Sequence, residues 1–362
     1  SKIAEDCKRM GIYWDFAPVV DVNTNPANPI IGNRSFGSDI NNVIAKGLAY
    51  AQGLQDNGVL ASMKHFPGHG DTDTDSHLDL PVVSHNLERL NSVELAPFKA
   101  LLDKKIGGVM VAHLYVPTLE KQSGIPASVS YDIITNLLKK SYQYNGLIIT
   151  DALNMNAVAK KFPAGELDLR AFKAGNDIML FSQDVPNGKA LIKAAIEKGE
   201  ISENRLAESV KKILRTKYLL GLQNLKSINS ENINEDLNNV SHAELSEKLY
   251  SNAITLLKDE KNLLPLSCSE TYYYLPLEEA PFQTFADYLN LGTTVKVISK
   301  TEIAQIPENS TVIVGFHKDN STAYKSYKIS QESKDILAEL SKKQNVILDV
   351  FGSPYALKDV DI

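Results

Sequence analysis

The segment Lys64–His77, KHFPGHGDTDTDSH, concentrates more side chains able to move a proton or hold a metal than any other stretch of the chain. Three of the seven histidines, His65, His69 and His77, fall within it beside Asp71, Asp73 and Asp75, so one short segment carries both acid-base partners. Its two glycines and one proline make it a sharply turning loop rather than a helix or strand. An imidazole titrates near neutrality, and one with a carboxylate beside it can give and recover a proton at that pH. The same residue types also suit a metal-dependent hydrolase, with His65, His69 and His77 as ligands. No pair of them stands four residues apart on an evident helix. A calcium loop fails on spacing: counted from Asp71, the positions that need Gly and Glu hold Ser76 and Val82.

A loop of this kind needs a frame, and the first 220 residues supply one. Short apolar runs that end in polar residues alternate with helical stretches, the signature of parallel βα units. Five runs stand out: Tyr13–Val22, Val59–His65, Gly108–His113, Leu147–Asp151 and Asp177–Phe181. In a (β/α)8 barrel the C-terminal strand ends form the reactive face, so Asp21, Lys64, His65, His113 and Asp151 are expected at one mouth. Helices are expected over Asn86–Leu102 and Asn204–Leu220, the second closed by Gly221. Five strands fall three short of a barrel, which leads to the expectation that the chain is truncated at its N-terminal end.

Residues 222–243 are rich in Asn and Ser and lack periodicity, so they read as a surface linker between a barrel domain, 1–221, and a second domain, 244–362. A helix over Ala243–Leu256 opens the second part. Strands at Tyr272–Leu275, Val295–Ser299, Val312–Phe316 and Val346–Phe351 then alternate with helices at Phe282–Leu291 and Ser330–Lys343, a smaller doubly wound α/β sandwich. It has no Gly-rich phosphate loop, and it stops soon after its last strand, as a truncated domain would. Trp14 and Tyr272, Tyr273 and Tyr274 read as core and strand residues.

Composition narrows the partners. A net charge of −6 and no run of basic residues interleaved with aromatics set nucleic acid aside. No apolar stretch reaches the roughly 18 residues of a membrane span. Cys7 and Cys268 read as unpaired thiols.

The loop also carries a resemblance. K-H-F-P-G-H-G, four residues, then D-S-H resembles the signature of the β-N-acetylglucosaminidase branch of glycoside hydrolase family 3. The likeness extends to FAPVVDVN with NPIIGNRSFG (16–37), to VMVAH, to GLIITDALNM (146–155) and to AITLLKDEKNLLPL (253–266), in that order. It implies a retaining glycosidase that releases terminal β-linked N-acetylglucosamine from peptidoglycan fragments or chitooligosaccharides. By resemblance Asp151 is the nucleophile, His77 the acid-base group and Asp75 the residue that orients it; read alone, a cap of the next helix is the lesser alternative for Asp151.

The same resemblance assigns Arg34, Lys64 and His65 to sugar contacts. His113, Asp177 and Asp21 are candidates for a supporting role, and the residues alone leave open whether they serve the site or only the fold. No metal or organic cofactor is implied, because acid, nucleophile and water suffice. A carbohydrate is the expected partner, a further C-terminal domain is compatible with the pattern, and export from a bacterial cytoplasm is favoured. The alternatives are a β-glucosidase or β-xylosidase, which generally lack the histidine loop, a metal-dependent hydrolase, and a non-catalytic carbohydrate-binding homologue. Phosphate as acceptor is a further variant, because neutral imidazole repels an anion less than carboxylate does.

Overall fold

The computed structural model describes residues 1–72, 80–319 and 327–360. It divides into two compact units, Ser1–Ser246 and Glu247–Ile362.

The first unit is built on strands β1 (Trp14–Asp15), β2 (Leu60–Phe66), β3 (Gly108–Val111) and β4 (Leu147–Thr150), all parallel and in the order β1-β2-β3-β4. Every residue of GVMV and LIIT is buried, as expected of parallel strands covered on both faces. The fifth expected run lies beside β4, where Ile178 bridges Ile149. This is the parallel arrangement of a (β/α)8-type barrel, with four strands and that bridge among the described residues. The first run is shorter as a regular strand than its sequence implies: Pro18 has no N–H to give the ladder, so regular pairing ends at Asp15, while the carbonyls of Ala17 and Pro18 still accept the N–H groups of Ser62 and Lys64 and Val19 bridges Lys64.

The helices follow their caps. Asp39 accepts the N–H of Asn42 and starts Ile40–Gln55, which buries Val43, Gly47, Ala51 and Leu54 on one face. At Gly47 a methyl group would come within 2.8 Å of Val20, so glycine sets the helix-to-strand spacing. The single helix expected over Asn86–Leu102 is two, Leu87–Ser92 and Ala96–Leu102, because Pro97 cannot donate within a continuous helix and so opens the second. Glu203–Leu219 closes as read, with Gly221 left-handed at φ 76°.

Residues 222–243 are largely exposed, but they do more than bridge two domains. The guanidinium of Arg9 donates to Asp236 Oδ2 (2.7 Å) and to the carbonyls of Asn229 (2.5 Å) and Glu231 (2.6 Å), and Ile233–Leu237 is helical. The stretch therefore belongs with the first unit, and the next helix runs from Val240 to Ala253.

The second unit holds β5 (Thr271–Leu277), β6 (Thr294–Val297), β7 (Thr311–His317) and β8 (Asn345–Phe351), parallel and in the order β6-β5-β7-β8. Ala286 and Phe285 of helix Gln283–Gly292 pack with Tyr272, Tyr274 and Ile313, while Leu337 and Leu340 of helix Gln331–Lys343 pack with Leu275, Val312 and Val314. Strand alternation sends these two sets to opposite faces, which gives the three layers of a doubly wound fold. Both cysteines are free, and no helix among the described residues is long and apolar enough to cross a membrane.

Candidate active site

Asp151 follows β4 directly, and its N–H still donates to Val111 of β3, 2.9 Å away. The chain then turns, so that the N–H of Ala152 donates to Asp151 Oδ1 at 2.8 Å. A cleft of about 430 Å³ opens there, lined by Asp151, Ala152, Asn154, Met155, Asn156 and Phe181. Burial alone would raise the carboxyl, but the imidazoles of His65 and His113 and the Ala152 N–H outweigh it and hold Asp151 below its ordinary value. The group is a carboxylate with one anchored oxygen at an open cleft.

His113 supports this turn. Its Nε2 lies 2.9 Å from the carbonyl of Ala152, which can only accept, so Nε2 carries the proton and Nδ1 accepts from Ser128 Oγ at 2.7 Å. Burial keeps this imidazole from charging. The tautomer is thereby fixed.

The second group is built around Asp21, fully buried. Its carboxylate accepts the N–H of His65 (3.1 Å), the N–H of His69 (2.7 Å) and the ring Nδ1–H of His65 (2.7 Å). Burial pushes the Asp21 carboxyl upward, and the His65 imidazole with these hydrogen bonds more than reverses it. With Nδ1 committed to Asp21, His65 Nε2 accepts from the guanidinium of Arg34 at 3.3 Å. Both His65 nitrogens are engaged, so this buried residue acts through the exposed Arg34.

Lys64 precedes it at a slip in the β2–β3 ladder between Met63 and Phe66, a bulge that re-aims the strand end. Burial and the nearby Arg34 lower the Lys64 ammonium, while Asp151, Asp15 and Asp21 pull it back.

The turn after β2 is possible because of two glycines. Gly68 has φ 127°, and a methyl there would meet Glu94 Cβ at 2.8 Å; one on Gly70 would meet the Val22 carbonyl at 1.9 Å. His69 is held neutral, its imidazole pushed down to about 4 by burial and by His65, and its Nδ1 lies 2.7 Å from Thr72 Oγ1.

Of the residues singled out from sequence, Asp21, Lys64, His65 and Arg34 are thus brought together, and His113 braces Asp151. Asp177 is elsewhere: it accepts the N–H of Ile148 (3.1 Å), the hydroxyl of Ser209 and the ammonium of Lys212 (3.3 Å), tying β4 to helix Glu203–Leu219. Its role is in the fold. Asp75 and His77 lie outside the described residues.

Asn28 escaped the sequence reading. Its Oδ1 accepts the N–H groups of Ile30 and Ile31 and its Nδ2 donates to the His69 carbonyl at 2.8 Å, which shapes the loop that carries Arg34. The Asn-Pro-Ala-Asn-Pro run was the available signal, since Asn side chains favour such turns.

With this geometry in place, comparison with known proteins is direct. The model of the glycosyl hydrolase family 3 N-terminal domain matches residues 1–216, and the chain belongs to that family. Beta-hexosaminidase A of Pseudoalteromonas piscicida is 35% identical over 287 residues, covering 74% of this chain and 47% of that protein. Beta-hexosaminidase LpqI of Mycobacterium tuberculosis is 39% identical over 218 residues, 58% of this chain and 55% of its own. A solved family 3 beta-N-acetylglucosaminidase from Paenibacillus sp. str. FPU-7 superposes with a TM-score of 0.78 at 30% identity, covering 98% of this chain and 70% of that one. The chain spans about half the length of the curated relatives it matches.

Proposed function

We propose that this protein is a retaining β-N-acetylhexosaminidase that removes terminal β-linked N-acetylglucosamine from peptidoglycan fragments or chitooligosaccharides. The observation that carries the reading is the Asp151 carboxylate, kept ionised at the end of β4 and open to a cleft. Two relatives named beta-hexosaminidase and a structural neighbour named beta-N-acetylglucosaminidase support the choice of sugar.

In the mechanism this implies, Asp151 attacks the anomeric carbon as the leaving oxygen takes a proton, and a glycosyl ester forms on its carboxylate. The Ala152 N–H holds one carboxylate oxygen, which leaves the other to attack. His77, oriented by Asp75, is the group assigned to give that proton and then to take one from the incoming water. Lys64 and Arg34 supply charged donors for sugar hydroxyls and the acetamido group. Asp21 and His65 hold Arg34 in place.

Two measurements test the reading. An NMR time course should show the β-configured sugar as the first product, and an α product would refute retention. A fluorinated glycoside that traps the intermediate should label the peptide containing Asp151; a label elsewhere, or faster turnover of aryl glucoside than of aryl N-acetylglucosaminide, would replace this assignment. We place the activity outside the bacterial cytoplasm, where wall fragments are released, and cell fractionation checks that.

A further inference from the structure

The geometry points to a divalent metal site formed by Asp71, His85 and Glu94, behind the turn that carries His65 and His69. One donor atom from each of the three lies within 4.8 Å of the others. Asp71 Oδ2 is 2.5 Å from His85 Nε2, and Asp71 Oδ1 accepts the hydroxyl of Thr24 at 2.7 Å.

Glu94 is the informative member. It is 4% exposed, and its Oε2 is a buried atom with no hydrogen-bond partner among the described residues, an expensive condition for a carboxylate oxygen. Arg89 engages only Oε1, at 3.2 Å, and reaches Thr24 Oγ1 at 3.3 Å. The guanidinium therefore meets one oxygen of Glu94 and leaves Oε2 unmatched. A doubly charged ion bound by Asp71, His85 and Glu94 Oε2 would satisfy the orphan oxygen; His85 Nε2, which gives its proton to Asp71 in this structure, releases that proton when it becomes a ligand.

Two carboxylates and an imidazole are the donor set of a zinc-like or manganese-like ion rather than of magnesium. Donors around a four-coordinate zinc stand about 3.4 Å apart when each bond is ~2.1 Å. On binding, Asp71 Oδ2 and His85 Nε2, now 2.5 Å apart, would part by about 1 Å while donors up to 4.8 Å apart draw together by about 1.4 Å, movements open to the partly exposed His85 and Asp71 side chains. A water completes the shell, because Thr24 Oγ1 already donates to Asp71 and accepts from Arg89. Because Gly68 packs directly on Glu94, the ion would stiffen the turn from behind and would not enter the reaction. The site is independent of the glycosidase assignment.

The test is metal stoichiometry on the whole chain. Protein stripped with a chelator is titrated with Zn²⁺ alone, followed by calorimetry and elemental analysis, beside the variants Glu94→Gln and His85→Gln. The expected result is one ion per wild-type chain, bound at least tenfold more weakly by either variant, with Zn²⁺ raising the thermal midpoint only in the wild type. His85 is partly exposed, so His85→Gln keeps the test valid if Glu94→Gln does not fold. No bound zinc, or zinc bound equally well by both variants through other histidines, overturns the proposal.

Discussion

The two units are both built on parallel strands, in a barrel-type order in one and a doubly wound order in the other, and they show opposite chemistry at their strand ends. Both sheets are parallel, and both deliver a carboxylate just beyond a buried strand, Asp151 after β4 and Glu278 after β5. At Glu278 the oxygens are consumed locally: Lys318 donates at 3.1 Å, and the N–H and hydroxyl of Ser330 donate at 3.1 and 2.8 Å. Among the described residues Asp151 is anchored by a single N–H, and it faces a cleft. A strand-end carboxylate is thus functional or structural according to whether the chain itself supplies its partners, and sequence position alone does not separate the two.

The sharpest way to break this comparison is to neutralise each carboxylate. Asp151→Asn keeps the shape and an acceptor for the Ala152 N–H, so folding should hold while turnover of an aryl N-acetylglucosaminide falls by about 10³-fold or more. Azide should restore part of the loss with an activated substrate and give the α-glycosyl azide. If Asp151→Asn instead lowered the thermal midpoint with little change in turnover, Asp151 would be a helix cap and the contrast would vanish.

How far this was legible in advance differs by residue. Asp151 was visible because the apolar run Leu147–Ile149 leads through Thr150 to a charge, and the strands of both units could be traced from such runs. The Pro97 break is local chemistry that a longer apolar period concealed. Asp177 was a candidate for a supporting role in the site because it adjoins an apolar run, yet its partners Ser209 and Lys212 lie 32 and 35 residues away, a pairing no local pattern encodes. The orphan oxygen of Glu94 was equally hidden, since its burial is set by how the folded chain covers it and not by its neighbours in sequence.

The second variant, Glu278→Gln, addresses the other half of the contrast and has a smaller effect. Burial opposes ionisation of Glu278, but its bonds from Ser333, Ser330 and Lys318 bring it down to about 2 from 4.5. A depressed folded value means the charge stabilises above pH 4.5 and that this contribution is lost as the pH falls toward 2. Glu278→Gln should therefore cost the second unit ~1–3 kcal/mol at neutral pH and leave turnover unchanged. Calorimetry of the full chain should also show a flatter acid limit. Equal stability at pH 7 would mean that the local partners are worth little and that Glu278 is not the closed counterpart of Asp151.

The same sheet holds a carboxylate with the reverse sign, and it separates two meanings of a perturbed group. Asp349 on β8 is pushed up to about 6 by burial, with no opposing cause of comparable size. Below the unfolded value of 3.8 the residue is neutral in both states and contributes nothing. Between 3.8 and about 6 the folded state keeps the proton that the unfolded state has lost, so stability falls as pH rises, and the full penalty persists above 6. About two pH units correspond to a ceiling of ~3 kcal/mol, and partial exposure to water reduces the expected effect to ~1–2 kcal/mol. Asp349→Asn should therefore stabilise the second unit at pH 7.5, with the gain shrinking to nothing near pH 4. A variant less stable than wild type at pH 7.5 would show that Asp349 is charge-paired. It would then belong with Glu278 among the carboxylates whose partners the fold supplies, not with groups that burial alone perturbs.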